Sequence, residues 1–216
     1  MTTNKNPGIY VHIPFCIRKC NYCAFLSGAS DEALRERYVK ALCEEIRIRA
    51  RLMSDHAHGV FDTIFFGGGT PSLLTSAQVA RIIDELKMNF DIDSEAEVTL
   101  ESNPKALSME SLKRYRDAGV NRLSMGVQSM DDDILRRLGR IHTARDVIRD
   151  VQNAREAGFD NINLDLMFAV PGSSLETTLI DIEAVTSLEP EHISFYSLQL
   201  EEGTAFFKEF EMGKLT

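Results

Sequence analysis

Arg116-Asp-Ala-Gly119-Val-Asn-Arg-Leu-Ser124 and Arg155-Glu-Ala-Gly158-Phe-Asp-Asn-Ile-Asn163 are near copies, 39 residues apart. In each, a helix closes on Ala-Gly and a strand begins, over residues 122–127 and 161–167. A repeated helix-to-strand joint is the sign of β/α units, and so of a parallel sheet with helical crossovers. The same rhythm extends outward. Residues 8–12, 61–66 and 97–101 read as three earlier strands, and 192–198 as the sixth. A helix over 31–53 carries Leu34, Tyr38, Leu42 and Ile46 four apart. Thr75 and Gln78 form a capping box for a helix to about residue 90, and Ser108 caps one that stops at Gly119. Ser173 and Glu176 are read as a second capping box, for a helix to about residue 188. The tail, 201–216, shows no clear closing element, which suggests a fragment of something longer.

Six β/α units make either a doubly wound sheet or most of a (β/α) barrel. The polar residues favour a partial (β/α)6 TIM-like barrel, whose working groups gather where strands end. Cysteines follow strand one and the glycine run Gly67-Gly-Gly69 follows strand two. Glu101 ends strand three, Gln128 follows strand four, Asp165 lies late in strand five and Gln199 follows strand six.

The chain has 216 residues, 44% apolar and 26% charged, as expected of one globular domain spanning 1–216. A net charge of −9 argues against a nucleic-acid partner, since phosphate backbones are bound by clustered Lys and Arg. No stretch approaches the ~20 apolar residues of a membrane span. The start, residues 1–7, is polar and lacks a signal-peptide region, so a cytoplasmic location is expected.

Three of the four cysteines fall in eight residues: Cys16-Ile-Arg-Lys-Cys20-Asn-Tyr-Cys23. A disulfide framework spreads cysteines in pairs, whereas three thiolates on one loop can hold a soft metal centre. Cys43 stands apart on a helical stripe with Val39 and Ile46 and reads as a core thiol. Structural zinc wants four ligands, and the nearest fourth, His12, sits in a strand. An iron–sulfur cluster held by three Cys leaves one iron open, which suits a reactive site. Spacing favours iron–sulfur over zinc.

Cys16-x3-Cys20-x2-Cys23, with Tyr22 before the last Cys, resembles the signature of the radical SAM superfamily. There the open iron of a [4Fe–4S] cluster chelates S-adenosylmethionine (SAM), and an electron cleaves it to methionine and a 5′-deoxyadenosyl radical. Tyr10-Val-His-Ile-Pro-Phe-Cys16, Gly67-Gly-Gly-Thr-Pro-Ser72, Asn121-Arg-Leu-Ser-Met-Gly-Val-Gln128 and Asn163-Leu-Asp165 resemble the oxygen-independent coproporphyrinogen III oxidase family. The resemblance implies SAM contacts at Tyr10, Tyr22, Gly69, Thr70, Glu101, Gln128, Arg140 and Asp165, with Arg140 pairing with the SAM carboxylate. It implies Cys16, Cys20 and Cys23 as cluster ligands, and an electron donor such as a flavodoxin-type protein.

Coproporphyrinogen dehydrogenases carry a fourth Cys two residues after the third, where this chain has Phe25. That departure, Gly139-Arg-Ile-His142 and the run to Val170-Pro-Gly172 resemble the HemW-type branch, described as heme-binding proteins that deliver heme to respiratory enzymes. The resemblance therefore implies a heme chaperone first, with SAM, heme or a porphyrinogen as ligands. The oxidase, which decarboxylates two propionates of coproporphyrinogen III, is the alternative. A metal-binding module without turnover is a third reading. The family's C-terminal domain has no counterpart in these residues. His12, His142 and His192 are candidate heme ligands by residue type only, and each is more often structural.

Overall fold

The computed structural model describes residues 6–53 and 59–215. The expectation that a signal-peptide region is lacking falls partly on residues 1–5, outside that range. Six parallel strands form one sheet: β1 Gly8–Ile13, β2 Phe61–Gly68, β3 Ile92–Ser102, β4 Arg122–Gln128, β5 Ile162–Phe168 and β6 His192–Ser197. Their order is that of the chain, β1-β2-β3-β4-β5-β6. Doubly wound sheets reverse order at a switch point; a sequential order winds one way and curls the sheet into part of a barrel, as expected.

Alternation along the strands separates two faces. Val11, Ile13, Ile64, Phe66, Val98, Leu100, Leu123, Met125, Ile162 and Leu164 point to one face and are buried. Helices α1 (Glu32–Met53), α2 (Ser76–Asn89), α3 (Met109–Asp117), α5 (Ala144–Glu156) and α6 (Leu175–Thr186) cover that face, joined in one apolar core. Cys43 lies inside it, 4% exposed, and burial pushes its thiol pKa up. The other face carries polar side chains in register: Thr99 beside Arg122, Ser124 beside Asn163, Asp165 beside Ser194. No helix among the described residues is long and apolar enough to cross a membrane.

The repeat is structural. Gly119 and Gly158 both adopt positive φ, at 101° and 91°, which favours glycine. Val120 N donates to Tyr115 O and Phe159 N to Ala154 O, each at 3.0 Å. The two copies also touch, with the Arg116 guanidinium 5.3 Å from the centre of the Phe159 ring.

Three expectations are corrected. The cap of α6 is Ser174, whose side chain accepts from Thr177 N, while Ser173 Oγ turns back to Val170 O. Strand β3 begins at Ile92, five residues earlier than expected, because Ile92 pairs with Phe61 past a register shift. The tail does close on an element: α7, Ala205–Glu211, is capped by Thr204 and drives Phe206 into the fold. Phe206 is fully buried with Ile134 and Leu138 of α4 (Asp132–Leu138), with Met167 and Val170, and with Tyr22 packed against them.

Phe206→Ala empties the centre of that second cluster. The expected loss is about 3–5 kcal/mol of stability, read as a lower denaturant midpoint followed by circular dichroism; an unchanged midpoint would mean that α7 is not part of the cooperative unit.

Candidate functional site

The cysteine loop is clamped at its base. Cys16 N donates to Gly28 O at 2.9 Å and Gly28 N to Pro14 O at 3.0 Å. Its middle is fastened by Asn21, whose N donates to Leu138 O and whose O accepts from Phe206 N, both at 3.0 Å. Asn21 Nδ2 also donates to Arg137 O at 2.8 Å. Gly139, φ 79°, lets α4 end against this loop, since a Cβ there would lie 3.1 Å from Asn21 Oδ1. Near its far end, His12 Nε2 lies 3.3 Å from Leu26 O. None of these fasteners is written in the cysteine spacing.

The loop walls a cavity of about 710 Å³ at the strand ends, within the range of small-ligand sites. Cys16, Cys20, Cys23, Tyr22, Gly69, Thr70, Glu101, Gln128, Arg140 and Asp165 all line it, as does Gln199. Tyr10 does not. It is 58% exposed, stacked on Phe65 with its hydroxyl 3.1 Å from His12 Nδ1, because it sits earlier on β1 than the strand end. His12, His142 and His192 also lie off this cavity. His142 is buried with Nε2 3.1 Å from Val127 O, and burial, then the Arg140 charge, lowers its pKa to about 4. His192 Nδ1 is held against Asn163 Oδ1.

Gly69, an expected SAM contact, is closely packed. The closest neighbour is the chain itself: a Cβ there would lie 2.5 Å from Phe15 O, and Gly69 N donates to Ile13 O at 2.8 Å. Gln128, with φ 71° at an irregular pairing of β4 with β5, accepts Tyr196 OH through Oε1 at 2.7 Å.

Two carboxyls share the polar wall. Glu101 accepts from Gly68 N at 3.1 Å, and Asp165 Oδ1 from Asn163 Nδ2 at 2.7 Å. Burial, then the Asp165 charge, raises Glu101 from 4.5 to about 7. Asp165 is raised too, chiefly by burial. Two carboxyls that resist ionising form a place for a cationic group.

The donor set suits a cluster. Cys23 is raised by burial first, and Cys20 and Cys16 push it further. A thiol held this way becomes a thiolate readily when a soft cation replaces its proton. Among the described residues, no three His, Cys, Asp or Glu side chains draw together around a single metal ion. The three cysteines nevertheless line one cavity, and their sulfurs are the soft donors that an iron–sulfur centre takes.

Sequence reasoning missed Asn103, Tyr196 and Asn21. Asn103 is marked only by the Pro104 that follows it, a turn signal, and Tyr196 lies inside a strand.

Comparisons with known proteins agree with this fold. The model of the radical SAM superfamily matches residues 10–184. The heme chaperone HemW of Haemophilus influenzae is 40% identical over 200 residues, covering 92% of this chain and 52% of that protein. HemW of Bacillus subtilis is 40% identical over 207 residues, covering 95% and 54%. The chain thus spans about half the length of these relatives. Coproporphyrinogen III oxidase from Escherichia coli, a solved radical SAM enzyme, superposes with a TM-score of 0.80 at 32% identity, covering 89% of this chain and 44% of that one.

Unfolded, Glu101 ionises near 4.5; folded, it keeps its proton to about 7. Between those values the folded chain binds more protons, so stability falls as pH rises, by up to about 3 kcal/mol. Glu101→Gln is expected to flatten that slope in metal-free urea unfolding. An unaltered slope would place the titration elsewhere.

Proposed function

Because the chain belongs to the radical SAM superfamily, we propose that Cys16, Cys20 and Cys23 hold a [4Fe–4S] cluster and that the cavity beside it binds SAM, with heme as the cargo. When bound, the cluster supplies the electron and the open iron that radical SAM chemistry needs. The observation that carries the reading is convergence: three thiols and two raised carboxyls line one cavity at the strand ends, with Arg140 among them. Glu101 and Asp165 face the cationic parts of SAM, and Arg140 its carboxylate. Tyr22, Gly69, Thr70 and Gln128 shape the surrounding wall. Tyr10 is left to a supporting role through His12.

Heme is favoured as cargo by the HemW relatives and by Phe25. That residue stands where coproporphyrinogen dehydrogenases are expected to carry a fourth cysteine. It lines the cavity and is 64% exposed, next to Leu26 at 81%. An exposed ring beside an aliphatic side chain suits the flat apolar face of a macrocycle. Coproporphyrinogen III oxidation is the second reading, favoured by the 32% identical solved enzyme. An electron donor of flavodoxin type and transient contact with respiratory heme proteins complete the proposal, with a cytoplasmic setting.

Anaerobic reconstitution is expected to give about four irons per chain. Cys16→Ala, Cys20→Ala and Cys23→Ala each abolish it, while Cys43→Ala keeps it; one zinc and no iron would sink the reading. SAM affinity is expected to weaken as pH falls below about 7, where Glu101 takes up its proton and no longer balances a cation. Isothermal titration across pH 6–8 checks this, and a flat profile contradicts it. The two cargoes are separated by incubating the reduced protein with SAM and coproporphyrinogen III, and separately with heme. Stable heme uptake without decarboxylation is expected; protoporphyrinogen formation would select the oxidase.

A further inference from the structure

Asn103 leaves β3 into a turn that fixes its direction. The following Pro104 holds it extended, and Lys105 N is anchored on the buried Asp150 carboxylate. The Asn103 side chain then reaches across the cavity wall in two directions. Its Nδ2 donates to Thr70 Oγ1 at 2.9 Å, and its Oδ1 accepts from Arg140 Nη2 at 2.5 Å.

Both partners point on to the cysteine loop. Thr70 has a single hydroxyl proton. With its oxygen already accepting from Asn103, it donates to Cys16 Sγ at 3.7 Å. Arg140 Nη2 is also held by Gly126 O at 2.6 Å, which leaves Nη1 directed at Cys20 Sγ at 3.5 Å. One amide therefore spends its donor and its acceptor on setting two hydrogen-bond donors against two of the three sulfurs. A residue needed only for the turn has no use for either: the turn's own bond, Ala106 N to Asn103 O at 3.2 Å, is a backbone bond.

We infer that Asn103 is a positioning residue that raises the reduction potential of the cluster, by holding Thr70 and Arg140 as donors to the sulfurs of Cys16 and Cys20. The inference rests on the cluster reading above. Its physical basis is that donors to the ligand sulfurs stabilise the more negative, reduced cluster.

The test is a redox titration of the anaerobically reconstituted chain without SAM, followed by the electron paramagnetic resonance of the reduced cluster, with iron counted in every sample. Asn103→Leu and Thr70→Val are expected to lower the midpoint. Thr70→Ser, which keeps the hydroxyl, is expected to retain it. The double variant Asn103→Leu/Thr70→Val is expected to shift by less than the sum of the single changes, because Asn103 acts partly through Thr70. Where Asn103→Leu does not hold iron, Asn103→Ser gives the same reading, its side chain being too short to span both partners. Equal midpoints in iron-loaded wild type and Asn103 variants would overturn the inference and leave the cluster reading standing, as would strictly additive shifts. Absence of iron from the wild type would overturn both.

Discussion

The exit of β1 lies flat against the end of β2, and everything at the site hangs from that crossing. Gly69 N bonds Ile13 O and Thr70 N bonds Phe15 O at 2.7 Å. The contact is possible only because Gly69 has no side chain: a Cβ would collide with the Phe15 backbone. Cys16 comes directly after this weld, so the first thiol emerges at a fixed point on the rim. The remaining two are then placed by the loop's second weld, through Asn21 to the end of α4 and the start of α7.

A sheet that curls in sequence order has one face turned to helices and one turned inward. The helix-facing side is apolar and supplies the core. The inner side carries hydroxyls, amides and carboxyls that would be costly to bury without partners. Most have them: Asn163 alone bonds Ser124, Asp165 and Ser194. Among the described residues, neither Glu101 nor Asp165 forms an ion pair. The rim carboxyls are held by neutral donors, Gly68 N on Glu101 and Asn163 Nδ2 on Asp165, which leaves their charge to be balanced by a ligand.

Much of this was legible in the sequence, for physical reasons. The Ala-Gly joints announced themselves because only glycine closes a helix cheaply at positive φ, and two copies of one joint implied parallel units. The capping box at Thr75 and Gln78 formed as read. Polar residues at strand ends predicted which side chains meet, since strand period and parallel register leave them no other side. What escaped depended on distant contacts. Helix α7 is short, and its single buried Phe206 makes no periodic pattern. Ser173 and Ser174 are adjacent, and the choice of cap turned on how the chain leaves Val170. Tyr10 shares its strand with the loop but stops short of the rim. Asn103 carries no signature beyond a proline after it; its importance comes from Thr70 and Arg140, which the sequence holds 33 residues before and 37 after.

The central claim is that an open-sided cluster on Cys16, Cys20 and Cys23 meets SAM in this cavity. The most direct measurement is the electron paramagnetic resonance of the reduced, reconstituted chain, recorded with and without SAM carrying ¹⁵N in its amino group, with electron–nuclear double resonance on the same samples. An altered cluster signal is expected, with a ¹⁵N coupling that places the amino nitrogen on the open iron. A cluster signal indifferent to SAM, with no such coupling, would contradict it.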